Sequence, residues 1–204
     1  YKASYAKNAG ESENPHLWKG LVGAWMPSLG VTGDTLRDAS GNGNHGTLTN
    51  MDAASDWVTS EKGLALDFDG VDDHVRMTTP ISISSDPFNV SVALKRFDTT
   101  LYPRIFDISD NTYQFQAVLD IAGNGELKTK HTKWQPNAGG VSTTWGFVPT
   151  LNKCEVISIN VYPSTNEVSL YRNGVKQSGL GSNNVNIGNN SNFINLGSRR
   201  DLSS

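Results

Sequence analysis

The strongest constraint on the fold is a series of short segments in which apolar and polar residues alternate. In residues 64–68, which read Leu-Ala-Leu-Asp-Phe, the large apolar side chains occupy every second position. A period of two is typical of a half-buried β-strand, because successive side chains point to opposite faces. Such segments recur at roughly ten-residue spacing between turn residues, and helical periodicity is nowhere sustained, so the pattern predicts an all-β sandwich or barrel.

Turn residues predict two hairpins within this series. The first covers Leu64–Met77, with Gly70 as the turn between two extended halves. The second joins strands over Ile157–Tyr162 and Val168–Arg172, and Asn173-Gly174 then returns the chain once more. Asn-Gly between extended segments is the strongest short hairpin signal, since both residues accept a positive φ.

The 204 residues are predicted to form one domain preceded by an arm. Residues 1–15 mix Lys, Asn, Gly, Glu and Pro without periodicity, which favours a solvated arm or linker. The domain is predicted to cover 16–204 and to open with a strand over His16–Trp25. This length is within the range of a single larger β domain.

Charge and composition exclude several classes of function. Lys and Arg number 17 and Asp and Glu number 20, a net charge of −3, and basic residues are scattered apart from Arg199-Arg200. Nucleic-acid-binding surfaces concentrate positive charge, so no nucleic-acid partner is expected. No apolar run reaches the roughly 20 residues that span a bilayer, so membrane insertion is not expected. Cys154, the only cysteine, is interpreted as a strand residue, because no His or glycine turn accompanies it.

Five segments stand out in order along the chain. They read GLVGAW at 20–25, DASGNGNHG at 38–46, LDFDGVDDHV at 66–75, VSLYRNG at 168–174 and INLG at 194–197. Together they resemble the motifs of laminin-G-like jelly-roll domains in the concanavalin A-like lectin/glucanase superfamily. The resemblance implies two stacked antiparallel sheets with jelly-roll connections.

The chain departs from this family pattern in two places. Lys153–Glu155 stands where the family usually has Trp-His, and residues 198–204 do not match its final strand of the type G-x-I-D-E-V. Either that strand lies outside this sequence, or another segment fills its place, for which residues 1–15 are the candidate. An empty place would leave a sheet edge open to a strand of another chain.

Aspartates are the candidate metal ligands. Four carboxylates fall within residues 67–73, where solvent or a bound cation would relieve their repulsion. The resemblance implies a structural Ca²⁺ at the rim of the sheets, and solvated turn carboxylates are the alternative. The candidate ligands are Asp38, Asp69, Asp72 and Asp73. A helix-loop-helix calcium loop starting at Asp38 is rejected, because Thr49 stands where a Glu is required.

No catalytic arrangement is predicted. Glucanases of the superfamily carry carboxylates on alternate residues of one strand, one as nucleophile and one as general acid. The near match, Asp67-x-Asp69, lacks the Glu acid and lies in a motif shared with non-catalytic modules. The four His residues have neither metal-ligand nor triad spacing. We therefore expect a protein that is not an enzyme, with glycoside hydrolysis as the less favoured alternative.

The resemblance implies a surface-binding role, in which the partner is a glycan or a protein. Tyr102, Trp134 and Trp145 lie in segments predicted to be loops, so they are the candidate ligand-binding residues. Aromatic residues buried at the rim of the sandwich are the alternative. Lectin-like jelly rolls also decorate virions or act in adhesion, so a virion structural role is the alternative function. The expected location is extracellular or on a virion surface.

Overall fold

Regular structure in the described residues is almost entirely β. The computed structural model describes residues 12–82, 86–96, 104–109, 113–120, 126–133, 141–145, 148–165, 167–178, 180–181 and 191–197. Across these residues there are sixteen strands, a short α-helix, α1 (Pro15–Trp18), and a 3₁₀ helix (Pro27–Leu29). Neither helix in this described part has the length and apolar character that a membrane span requires.

The strands form three antiparallel sheets within the described residues. In chain order they are β1 (Thr35–Leu36), β2 (Gly46–Thr49), β3 (Trp57–Ser60), β4 (Gly63–Leu66), β5 (His74–Met77), β6 (Ile81–Ser82), β7 (Phe88–Lys95), β8 (Arg104–Ser109), β9 (Tyr113–Asp120), β10 (Glu126–Lys133), β11 (Val141–Thr144), β12 (Cys154–Tyr162), β13 (Glu167–Arg172), β14 (Val175–Lys176), β15 (Leu180–Gly181) and β16 (Ser191–Leu196). A large sheet has the order β1-β2-β5-β16-β8-β9-β10-β11-β15, with β6 paired to β16. A four-stranded sheet has the order β14-β13-β12-β7, and β3 pairs with β4.

One hydrophobic core joins the large sheet to the four-stranded sheet. The alternation in β12 explains its contribution, because Ile157, Ile159 and Val161 are at most 1% exposed while the residues between them are not buried. The core also takes Val75, Met77, Phe106, Ile108 and Ile194 from the large sheet and Val168 and Leu170 from β13. The predicted all-β, two-sheet antiparallel jelly-roll sandwich is therefore confirmed.

The segment Leu64–Met77 is not a hairpin, so that prediction was wrong. β4 ends at Leu66 and pairs with β3, whereas β5 begins at His74 and pairs with β2 and β16 in the large sheet. Gly70, with φ of 77°, turns the chain in the loop between them. Alternation locates both strands, but it carries no information about which distant strand becomes the partner.

The segment His16–Trp25 is not a strand either. Pro15 begins α1, as expected of a residue with a fixed φ and no N–H to leave unsatisfied. Beyond the helix, Trp25 forms an isolated antiparallel bridge with Asp38, and side-chain amides satisfy carbonyl groups before it. Asn42 Nδ2 donates to the carbonyl oxygen of Leu21 at 2.7 Å, and Asn44 Nδ2 donates to that of Val22 at 2.8 Å.

The late hairpin is confirmed. β12 and β13 pair antiparallel, and Asn173 and Gly174 have φ of 49° and 80° at the turn into β14. A two-residue Asn-Gly hairpin turn requires a positive φ at both residues, as observed here. Residues 1–11 and 198–204, on which the predictions of an arm and of an unmatched final strand depend, lie outside the described residues.

Candidate functional site

Three aspartates meet in the loop between β4 and β5, and we call this group the aspartate corner. One carboxylate oxygen each from Asp69, Asp72 and Asp73 lies within 4.8 Å of the others. Hydrogen bonds shape the loop: Asp69 N–H donates to Asp73 Oδ2 at 2.9 Å, and Val71 N–H donates to Asp69 Oδ1 at 2.7 Å. Asn50 Nδ2 donates to Asp72 Oδ2 at 3.0 Å. Asp69 and Asp72 are exposed, whereas Asp73 is buried.

Negative charge accumulates at the aspartate corner. Burial raises the pKa of Asp73, the hydrogen bond from Asp69 N–H opposes this effect, and the charges of Asp69, Asp56 and Asp72 raise the pKa further. A divalent cation would relieve this repulsion, and carboxylate oxygens are the hard ligands that such ions prefer. The corner could therefore hold a metal ion.

Asp38 is not part of the aspartate corner, so its assignment as a fourth ligand was wrong. Asp38 Oδ1 accepts hydrogen bonds from the N–H groups of Ala24 and Ser40 at 2.9 and 2.8 Å. Asp38 Oδ2 accepts from the Ser40 hydroxyl at 2.8 Å and from the N–H of Asn44 at 3.0 Å. Four donors occupy the acceptor sites of this buried carboxylate, which organises the loop around it.

The same contacts set the ionisation of Asp38. Burial raises the pKa of this carboxyl, but the hydrogen bonds from Ala24, Ser40 and Asn44 lower it by more, so the pKa lies below its ordinary value. Asp38 therefore has a structural role as an ionised anchor for three segments of backbone.

Of the three aromatic residues predicted to bind ligand, Trp145 is corrected by the structure. It directly follows β11, is 4% exposed and belongs to the hydrophobic core, so it is the buried rim aromatic of the alternative interpretation. Its large apolar area favours burial in the sandwich. Tyr102 and Trp134 lie outside the described residues.

The near match to a glucanase motif, Asp67-x-Asp69, does not lie on a strand. Asp67 and Asp69 follow the end of β4 and lie in a loop, so they are not alternate residues of one strand. Glu155 is 4% exposed and forms a salt bridge with Arg172. Its Oε2 also accepts a hydrogen bond from the N–H of Thr150 at 3.2 Å. Glu155 thus fastens β12, β13 and the preceding loop together.

A second candidate site covers the outward side of the four-stranded sheet, and we call it the Asn–Ser face. It consists of Asn89, Ser91, Ser158, Asn160, Ser169 and Tyr171. The register aligns them in two rows, Asn89–Asn160–Ser169 and Ser91–Ser158–Tyr171, each crossing β7, β12 and β13. These positions alternate with the core residues of the same strands, so the face is directed away from the core.

Hydrogen bonds connect the side chains of this face. Asn89 Nδ2 donates to Asn160 Oδ1 at 2.6 Å, and the Ser91 hydroxyl donates to Asn89 Oδ1 at 2.8 Å. A further hydrogen bond of 2.9 Å joins the hydroxyls of Ser91 and Ser158. The network holds its members in defined rotamers, which lowers the entropy lost when a ligand binds.

The large sheet differs from this face in its accessibility. Phe106, Asp107 and Ile108 are consecutive in β8 and are 1%, 1% and 2% exposed, so both faces of the sheet are covered at this strand. Asn89 and Ser91 of the Asn–Ser face are exposed. The four-stranded sheet is therefore open to solvent at Asn89 and Ser91, whereas the large sheet is covered on both faces at β8.

The Asn–Ser face could not be derived from the sequence. Its residues in β7 lie more than sixty positions from those in β12 and β13, and Asn89 contacts Asn160 only through the register of β7 with β12. The usable signal is the run of neutral polar residues at alternate positions in both strands. Alternation alone assigns such residues to solvent and does not bring the strands together.

Comparisons with known proteins support the fold. The sequence matches no protein-family model and no curated protein. The structure is similar to the binding domain of Paraclostridial Mosquitocidal Protein 1, with a TM-score of 0.55 and 17% identity, over 83% of this chain and 44% of that one. A heptameric SAP-like pentraxin from Limulus polyphemus gives a TM-score of 0.45 at 14% identity, over 63% and 58% of the two chains.

A third similar structure is the carbohydrate-binding module CBM66 from Bacillus subtilis, with a TM-score of 0.39 and 12% identity, over 70% of this chain and 83% of that one. This chain spans 58% and 44% of the pentraxin and the mosquitocidal binding domain. At 17% identity the likeness to the mosquitocidal binding domain is one of fold alone, and the laminin-G-like assignment within the fold stays a prediction.

Proposed function

We propose that this chain is a non-catalytic binding module that recognises a glycan at a surface. The observation that carries the proposal is the Asn–Ser face, an accessible sheet surface of amide and hydroxyl groups held in place by Asn89, Ser91, Ser158 and Asn160. Such groups donate and accept hydrogen bonds without a net charge, which suits the hydroxyls of a sugar. The similar mosquitocidal structure is itself a binding domain.

The carboxylates support the non-catalytic part of the proposal. Glycosidases hold two carboxyl groups roughly 5–10 Å apart across the scissile bond. In the described part of the chain, Asp38 anchors backbone, Glu155 pairs with Arg172, and Asp69, Asp72 and Asp73 form one corner. None of these arrangements places an acid and a nucleophile on opposite sides of an accessible cleft.

Affinity electrophoresis through gels that contain polysaccharides tests this function. We expect retardation in at least one gel and no increase in reducing ends when the same polysaccharides are incubated with the protein. An increase in reducing ends with wild-type protein would make the chain an enzyme. Migration unaffected by every polysaccharide would contradict glycan recognition, and binding on a protein array would then favour a protein partner.

We further propose that the aspartate corner binds a structural Ca²⁺. Asp69, Asp72 and Asp73 supply carboxylate oxygens within reach of one ion, and the loop connects β4 to β5. Ca²⁺ accepts six to eight oxygen ligands in flexible geometry, so backbone carbonyls and water would complete the shell. Because Asp69 and Asp72 are exposed, an ion can enter without rearrangement of the core.

Calcium should raise the melting temperature of this chain. A ligand at 100 times its Kd stabilises the native state by about 2.7 kcal/mol, which corresponds to roughly 5–10 °C for a domain of this size. Differential scanning fluorimetry in excess Ca²⁺ and in chelator measures the difference. Asp72→Asn should abolish it, and the exposed Asp34→Asn serves as the control. An unchanged wild-type melting temperature would show that solvent alone relieves the repulsion between the carboxylates of the aspartate corner.

A further inference from the structure

We propose that the Asn–Ser face is the ligand site and that it takes a neutral glycan, with a sugar ring packed on Tyr171 and its hydroxyls bonded to Asn160 and Ser169. This inference rests on the proposed function and assigns the residues that perform it.

Unused hydrogen-bonding capacity lies at the centre of the face. Asn160 uses its Oδ1 as acceptor for Asn89 Nδ2, which leaves its own amide group with two N–H donors. Asn89 Oδ1 accepts from Ser91 and has a second lone pair. Ser169 continues the row of Asn160 on β13. Adjacent strands lie about 4.8 Å apart, so one sugar residue can reach Asn160 and Ser169 together.

Tyr171 provides the apolar contact that sugar recognition needs. Sugars carry C–H groups on the faces of the ring as well as hydroxyls at its edge, and aromatic side chains pack against such faces. In strands, side chains stand roughly perpendicular to the sheet. Ser158 and Ser91 continue the row of Tyr171, and their side chains are short. The half-buried Tyr171 side chain therefore extends further from the sheet than its neighbours in β12 and β7.

Charge selects a neutral ligand. All six residues of the face are uncharged. Lys176 of β14 is the register partner of Tyr171, and Lys95 and Glu167 lie at the ends of β7 and β13 on this side of the sheet. Two cations and one anion around the face produce no concentrated field of one sign. An acidic polysaccharide would therefore gain little electrostatic attraction here, whereas a neutral one loses no hydration of charge when it binds.

Site variants test the assignment on the full chain, with dextran, mannan, galactan and laminarin as neutral probes and polygalacturonate as the acidic probe. The wild type should bind at least one neutral probe more tightly than polygalacturonate. Tyr171→Ala should weaken that binding about tenfold, and Asn160→Ala by roughly fivefold. Ser91→Lys adds a long cation to an exposed position and should block the face without removing a core contact.

Thr47→Ala, an exposed position of the large sheet, is the matched control and should bind as the wild type does. Melting temperatures identify any variant that loses binding because it unfolds. If Tyr171→Ala or Asn160→Ala unfolds, the binding of Ser91→Lys still tests the assignment. Unchanged binding by both Tyr171→Ala and Ser91→Lys, or preference for polygalacturonate, would overturn the assignment while glycan recognition stands. Absence of wild-type binding to every probe would instead overturn the proposed function.

Discussion

Replacing Trp145 by alanine should lower the free energy of unfolding by about 3–5 kcal/mol, the usual cost of removing a buried aromatic side chain. Trp145 is 4% exposed and packs within the hydrophobic core, so its removal leaves a cavity that neighbouring strands fill only in part. For a chain of this length the melting temperature should fall by roughly 10 °C. Chemical denaturation followed by circular dichroism measures the effect.

The matched control for Trp145 is the exposed Val148. Val148 is 38% exposed, so Val148→Ala should change the free energy of unfolding by less than about 0.5 kcal/mol. Trp145→Phe retains most of the apolar volume and should be intermediate. If Trp145→Ala were as stable as the wild type and instead lost binding to a polysaccharide, Trp145 would be a ligand platform and the core assignment would fail.

Replacing Asp38 by alanine should cost about 2–4 kcal/mol, because it leaves three backbone N–H groups and one hydroxyl without their acceptor. The donors belong to Ala24, Ser40 and Asn44, so three segments of the first fifty residues lose a common anchor. The exposed Asp34→Ala is the control and should be nearly neutral. Equal stability of both variants would show that the loop does not depend on the carboxylate.

The pH dependence of stability should identify the charge on Asp38. The pKa of Asp38 is lower in the folded protein than in the unfolded chain. Its carboxylate therefore contributes fully to the free energy of unfolding above the unfolded-state pKa of about 3.9. That contribution is lost as the pH falls through the folded-state pKa. The difference in unfolding free energy between wild type and Asp38→Asn should therefore be constant near neutral pH and shrink below about pH 4. A difference that grows on acidification would contradict an ionised Asp38.

Local patterns in the sequence predicted the strands better than they predicted their partners. Asn173-Gly174 determines a turn within two residues, so the late hairpin could be derived from residue types alone. The pairing of β4 with β3, and of β5 with β2 and β16, depends on which buried faces fit together in three dimensions. Packing across the sandwich determines which strands pair, and the alternation of apolar and polar residues carries no information about it.

The candidate sites divide in the same way. Asp69, Asp72 and Asp73 are close in sequence, so a short turn brings their carboxylates together as the spacing indicated. Asp38 has the same chemistry but lies in a loop whose own N–H groups satisfy it, and this could not be read from its residue type. An extracellular or virion-surface location stays a prediction that rests on the family resemblance.

The position of β16 has a consequence for how this chain acquires its structure. β16 lies between β5 and β8, although it follows both of them far along the chain. A nascent chain therefore leaves the ribosome with the middle of its large sheet incomplete until residues 191–196 emerge. Such high contact order is typical of slow folding, on the scale of milliseconds to seconds, so completion of the sheet should be a late and concerted step.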